Sequence, residues 1–195
     1  MLSKNQIEAI EQVLKSSLRY KFQNYNPEPA SMPFHMRLLG KDRLALYSFI
    51  HSLSTNFGTA IFQPVAVALA EKRFKRVQTQ VKAGNVISER AQLEIQKIMD
   101  NLTTAATTPN KPEEISAIRK VCQEGRMRKV KPTKIDVLLE SKKGELYLID
   151  IKTAKPNVGE FKGLKRTLLE WAAATFAYVG CKPQSGSKYA YRYTL

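Results

Sequence analysis

Two carboxylates and one ammonium, from Asp136, Asp150 and Lys152, carry the most chemical potential in this chain if folding brings them together. Close carboxylates repel each other unless something positive sits between them, and a hard divalent cation is the usual answer. Magnesium prefers oxygen ligands, binds through one or two carboxylates and keeps several waters. Asp136, Asp150 and the backbone carbonyl of Ile151 are the ligands this spacing offers. A cation held there would polarise a phosphoryl oxygen and lower the pKa of a bound water. Lys152 would orient that water or stabilise charge developing on the phosphate. The predicted reaction is metal-assisted hydrolysis of a phosphodiester.

The elements that must position these groups are two short strands. Residues 134–141 and 145–153 have strand composition, and Lys142-Lys143-Gly144 separates them. A three-residue loop with glycine last is the signature of a type I turn closed at positive φ, which glycine adopts without steric cost. With this loop Ser141 faces Glu145, and counting outward sets Asp136 opposite Asp150. Opposed residues share a face, and the strand period of two adds Lys152 to it. The runs Val137-Leu138-Leu139 and Leu146 to Ile149 predict a sheet buried on both faces, where unpaired charge is costly. The competing reading is an edge strand with alternating charge.

Charge points to a polyanionic partner. Of 195 residues, 32 are Lys or Arg and 17 are Asp or Glu, a formal net charge of +15 and an isoelectric point near 9.9. Such an excess favours nucleic acid first and an anionic membrane surface second. Residues 119–134 carry Arg119, Lys120, Arg126, Arg128, Lys129, Lys131 and Lys134 against the single acid Glu124. Lys155, Lys162, Lys165 and Arg166 follow the second strand, so the acidic pair lies between two cationic stretches. Arg126, Arg128, Lys155, Lys162, Lys165 and Arg166 are the candidate DNA contacts, the later ones near a helix N-terminus that attracts phosphate.

Other chemistries find little support. Cys122 and Cys181 form no C-x-x-C pair, so neither a disulfide framework nor a zinc site is indicated, and a reducing cytoplasm fits. His35 and His51 are the only histidines and make no His-rich metal site. Leu39-Gly-Lys-Asp-Arg43 lacks the spacing of a phosphate-binding P-loop. No apolar run reaches the length of a membrane span, and the first residues do not read as a secretory leader.

Along the chain, Ser3 and Gln6 form a capping box for a helix ending near Asn24, with Ile7, Ile10, Leu14 and Leu18 on one stripe. Residues 27–33 read as an extended, Pro-rich connector. Helices are expected over 41–55 and 58–76, the latter ending on Lys72, Arg73, Lys75 and Arg76. Gly84-Asn85 marks a turn, Ser88 caps a further helix, and Pro112 opens another. The last helix runs through about Val179, with Trp171 a core residue rather than a base-stacking one. The expected class is α/β, a mixed central sheet flanked by helices. An N-terminal helical region over 1–111 and a catalytic core over 112–195 would form one compact domain sharing the 58–76 helix.

Asp136 followed by Asp150-Ile151-Lys152 matches the bipartite PD-(D/E)xK pattern of the restriction-endonuclease-like superfamily, with Ile135 in place of the Pro. The wider text is more specific. Asn56-Phe-Gly-Thr-Ala-Ile-Phe-Gln-Pro64, Lys134-Ile-Asp-Val-Leu-Leu139, Asp150-Ile-Lys-Thr-Ala-Lys-Pro-Asn157 and Phe161-Lys-Gly-Leu-Lys-Arg-Thr-Leu-Leu-Glu-Trp171 together resemble the TdeIII/MjaII family of type II restriction endonucleases. That resemblance implies a homodimer that cuts both strands of duplex DNA with magnesium at a short palindrome of the form GGNCC. It also implies a cognate DNA methyltransferase. By the same resemblance Asp136 and Asp150 are metal ligands and Lys152 the water-orienting or charge-stabilising group. Superfamily members often add a Glu from an early helix; Gln63 is the first candidate for that position and Glu71 the second. A glutamine there would coordinate through its amide oxygen and add no charge. A structure-specific or repair nuclease of the same fold, or a DNA-binding module without catalysis, are the alternatives.

Overall fold

Ser3 opens the first helix as the sequence predicts: its hydroxyl accepts from the Gln6 backbone N–H while the Gln6 side chain accepts from the Ser3 backbone. The structure is a computed structural model that describes residues 3–26, 33–152 and 156–179. After α1 (Lys4–Asn24) come α2 (Pro33–Leu39) and α3 (Lys41–Phe57). The helix α2 starts at the last residue of the predicted connector and fills a stretch to which the sequence reading assigns no element. Gly40, at φ +76, separates it from α3 in a conformation that costs glycine little.

A π-helical turn at Gly58–Phe62 leads without a break into α4 (Gln63–Ala70), whose second residue is Pro64. The helix expected through Arg76 therefore stops at Ala70, and residues from Arg76 onward form β1 (Arg76–Lys82). Val77, Thr79 and Val81 explain the change, since β-branched residues at a spacing of two favour a strand.

Next are β2 (Val86–Ser88), α5 (Glu89–Thr103), α6 (Lys111–Val121), β3 (Met127–Lys129), β4 (Lys134–Glu140), β5 (Leu146–Ile149) and α7 (Val158–Val179). The Ser88 hydroxyl caps α5 by accepting from the Ala91 N–H, and Asn110 caps α6. One sheet has the order β1-β4-β5 and a smaller one pairs β2 with β3. Every strand pairing among the described residues is antiparallel, which corrects the expected mixed sheet. β5 returns through a tight hairpin, and β1, from far earlier in the chain, runs against β4. Because β1 supplies an edge of the sheet, the segment before residue 111 is not purely helical.

The central strand β4 is buried on both faces. On one side Val137 and Leu139 pack with Ala66 and Ala70 of α4 and with Phe74, Tyr147 and Ile149. On the other, Leu138 and Leu148 join the larger core built from α5, α6 and α7, with Ile95, Ile118, Trp171 and Phe176 among its members. Trp171 is core, as expected; its indole N–H donates to the Thr133 hydroxyl. Arg119, from the basic stretch, lies over the Phe176 ring at 4.7 Å. Cys122 is buried in the larger core, and Cys181 lies outside the described residues.

Candidate active site

The hairpin builds the site. Gly144 adopts φ +80, the Gly144 N–H donates to the Ser141 carbonyl at 3.0 Å, and the Ser141 N–H donates to the Glu145 carbonyl at 2.8 Å. The resulting register pairs Leu139 with Tyr147, Leu138 with Leu148 and Val137 with Ile149. One step further outward are Asp136 and Asp150, as the loop length predicts. Asp150 lies just past the last residue of β5.

Asp136 accepts three N–H donors. The Gln63 and Gln80 side-chain amides both reach Oδ1, at 3.0 and 3.2 Å, and the Ile151 backbone N–H reaches Oδ2 at 2.8 Å. The last bond ties the peptide after Asp150 to the opposite acid. Asp150 in turn accepts from the Lys152 ammonium, at 3.1 Å on Oδ1 and 2.9 Å on Oδ2. Burial pushes the Asp150 carboxyl above the ordinary range; Lys152 pulls it down, and the neighbouring Asp136 adds to the rise. The three groups named from the sequence thus meet on one patch of the sheet.

Gln63 is the first residue of α4 and is 4% exposed. It touches Asp136 through its amide nitrogen. Glu71 follows the last turn of the same helix, exposed, on a groove of about 390 Å³ that Gln63, Val67 and Thr79 also line. Ile151 packs its side chain against the Val137 and Leu139 cluster. Gln80 escapes a reading of the sequence altogether. It is one of only two non-glycine residues at positive φ among those described, at +53, a conformation that costs an L-residue about 1–2 kcal/mol. Nothing in its residue type or spacing signals this; the register of β1 on β4 does.

The candidate DNA contacts divide. Arg126 and Lys162 are exposed. Arg128 is ion-paired with Glu89. Lys165 is ion-paired with Glu114, which is 7% exposed, and Arg166 donates to the Gln96 side chain at 2.6 Å. Burial raises the pKa of nearby Glu170, against the pull of Arg166. Lys155 lies outside the described residues.

Among the described residues no group of three or more His, Cys, Asp or Glu side chains converges. Two half-buried carboxylates on one face, one with its ionisation penalised by burial, nevertheless fit a hard cation that keeps most of its ligands as water. Among the described residues no single helix is long and apolar enough to cross a membrane.

No solved structure matches the chain. The type II restriction enzyme MjaII of Methanocaldococcus jannaschii is 30% identical over 190 residues, an alignment covering 86% of this chain and 49% of that enzyme. The chain therefore spans about half the length of the curated relative it matches. A family model described as "Type II restriction endonuclease, HinfI" matches residues 2–193. With its acidic pair and lysine gathered on one hairpin and nearly its whole length matched, the chain belongs to the HinfI family of type II restriction endonucleases.

Proposed function

We propose that this chain hydrolyses phosphodiester bonds in double-stranded DNA, with magnesium, at a short palindromic site for which GGNCC is the first candidate. The observation that carries the reading is the convergence of Asp136, Asp150 and Lys152, with Asp136 fixed by three N–H donors before any cation arrives. We read the two-sided sheet with an acid in its central strand as a restriction-endonuclease-like core.

Asp136 and Asp150 would hold the ion, with the Ile151 carbonyl and Gln63 as further oxygen donors. Gln63 would have to turn its amide so that oxygen replaces the nitrogen now facing Asp136. Magnesium, when bound, supplies a water of lowered pKa and polarises a phosphoryl oxygen. Lys152 balances the charge of Asp150 in this structure. A cation on that carboxylate would take over the role and release the ammonium, already 38% exposed, toward the attacking water or the phosphate. Arg126, Lys162 and Lys155 would lead the DNA backbone to the site, joined by Arg128 and Arg166 where their present pairs open, while Lys165 stays with the buried Glu114.

A palindromic site matches a two-fold protein, so the partner is a second copy. The exposed Tyr20, Phe22, Phe34, Leu38 and Leu46 of α1 to α3 supply apolar surface for it. A DNA methyltransferase would protect the same site in the host, and the place of action is the cytoplasm.

Incubating a sequenced plasmid with the protein and magnesium tests the proposal. Discrete fragments with a shared end sequence are expected. Cleavage that follows junctions or ends would favour a repair nuclease instead. A neutral Gln63 beside only two carboxylates favours one other reading, a DNA-binding relative that does not cut. Retarded but intact DNA with both magnesium and manganese would select it.

A further inference from the structure

Gln80 stands directly across β1 from Asp136, flanked by the pairs Thr79 with Val137 and Val81 with Ile135. It leaves extended geometry at that one position, with φ +53, and its amide donates to Asp136 Oδ1 at 3.2 Å. A strained residue in the middle of a strand persists only where the surrounding structure enforces it, and such residues cluster at functional sites. Glycine would fit this backbone without strain, yet the chain places an amide there.

An ionised carboxylate offers about four acceptor positions, two on each oxygen. On Asp136 the amides of Gln63 and Gln80 take both positions of Oδ1, and the Ile151 N–H takes one of Oδ2. While Gln63 keeps this orientation the position left open is on Oδ2, the oxygen already bonded to the peptide that follows Asp150; once Gln63 turns toward an ion, Gln80 is the side-chain amide that still holds Oδ1.

We propose that Gln80 is a positioning residue for metal uptake: its left-handed turn aims an amide at Asp136 Oδ1, so that the remaining acceptor of Oδ2 is presented beside Asp150. The role rests on the metal-dependent reading above, and acts through Asp136 rather than on DNA. Hydrogen-bond partners of this kind tune a carboxylate ligand by fixing its orientation.

Calorimetric titration of manganese into the whole metal-stripped chain, without DNA, tests it alongside thermal melts. Gln80→Gly keeps the backbone and removes the amide; Gln80→Asn tolerates positive φ and keeps an amide one methylene short. Gln80→Gly is expected to melt at or above the parent temperature while binding manganese roughly tenfold more weakly, the usual loss for such a partner. Gln80→Asn should fall between the two. If Gln80→Gly melts below the parent, Gln80→Asn decides: weaker binding at the parent melting temperature supports the role. Parent-like affinity in the variants would overturn the role of Gln80 alone. A parent chain that takes up no manganese would overturn the metal reading itself, and this role with it.

Discussion

Asp150 is a side chain whose ionisation the fold resists. Burial is the main cause, only partly offset by Lys152, so its folded pKa lies above the unfolded one. A carboxyl shifted this way holds its proton more tightly when folded; the associated stability is full below the ordinary carboxylate pKa and is lost as pH rises through the folded pKa. Asp150→Asn should therefore raise the melting temperature of the metal-free protein at neutral pH, the gain shrinking as acid protonates the parent. Melts in chelator from about pH 4 to about pH 8 check the sign. A lower melting temperature for the variant at neutral pH would contradict it. The same variant should lose DNA cleavage entirely while retaining DNA in a gel shift, because cationic attraction is untouched. Lys152→Ala should slow cleavage by on the order of a hundredfold, the cost of one charge-stabilising donor, read in single-turnover digests. These three residues are legible in the sequence because a glycine-closed loop fixes register over a few positions. The amide bonds from Gln63 and Gln80 are not, since they join segments 73 and 56 residues away from Asp136.

The helices α1, α5 and α6 announce themselves through Ser3, Ser88 and Pro112 near their starts, and a capping side chain or an early proline is a local signal. The strand β1 is masked by the opposite effect: the apolar stretch of α4 and the basic run after it read as one continuous helix. The alternating Val77, Thr79 and Val81 are its one local trace, and tertiary pairing with β4 settles that competition. A similar surprise concerns α7. Its early lysine, Lys165, reads as a phosphate ligand in sequence but is paired with the buried Glu114 of α6. Lys165→Ala would strand that carboxylate, which costs on the order of 3 kcal/mol when a buried pair loses one member. Urea unfolding should register the destabilisation, while the salt dependence of DNA binding should stay as in the parent. A variant of parental stability with a shallower salt dependence would return Lys165 to the DNA surface.

The molecule as a whole carries a large cationic excess beside an acidic pair, Asp150 bound to Lys152 and Asp136 held by three neutral N–H donors. Its formal charge of +15 follows directly from composition, as does the preference for a polyanion. The fold adds which cations are engaged within the protein: Arg119 lies over Phe176, Arg128 pairs with Glu89 and Lys165 with Glu114, while Arg126 and Lys162 remain exposed. Replacing Arg126 and Lys162 together by Ala should flatten the plot of log binding constant against log salt by about 0.9 for each phosphate no longer neutralised. An unaltered slope would place both away from the DNA. The two-sided burial of β4 is foreseeable from its apolar run, whereas the antiparallel order of the sheet is not.

The bond from the Ile151 peptide to Asp136 has a practical corollary. That single backbone proton is held by an acid of the site itself, so its resonance in an amide spectrum should report on whatever that acid is doing. Protonation, cation loading and the approach of a scissile phosphate would each move one peak, giving a view of the candidate site that needs neither a labelled substrate nor a substitution.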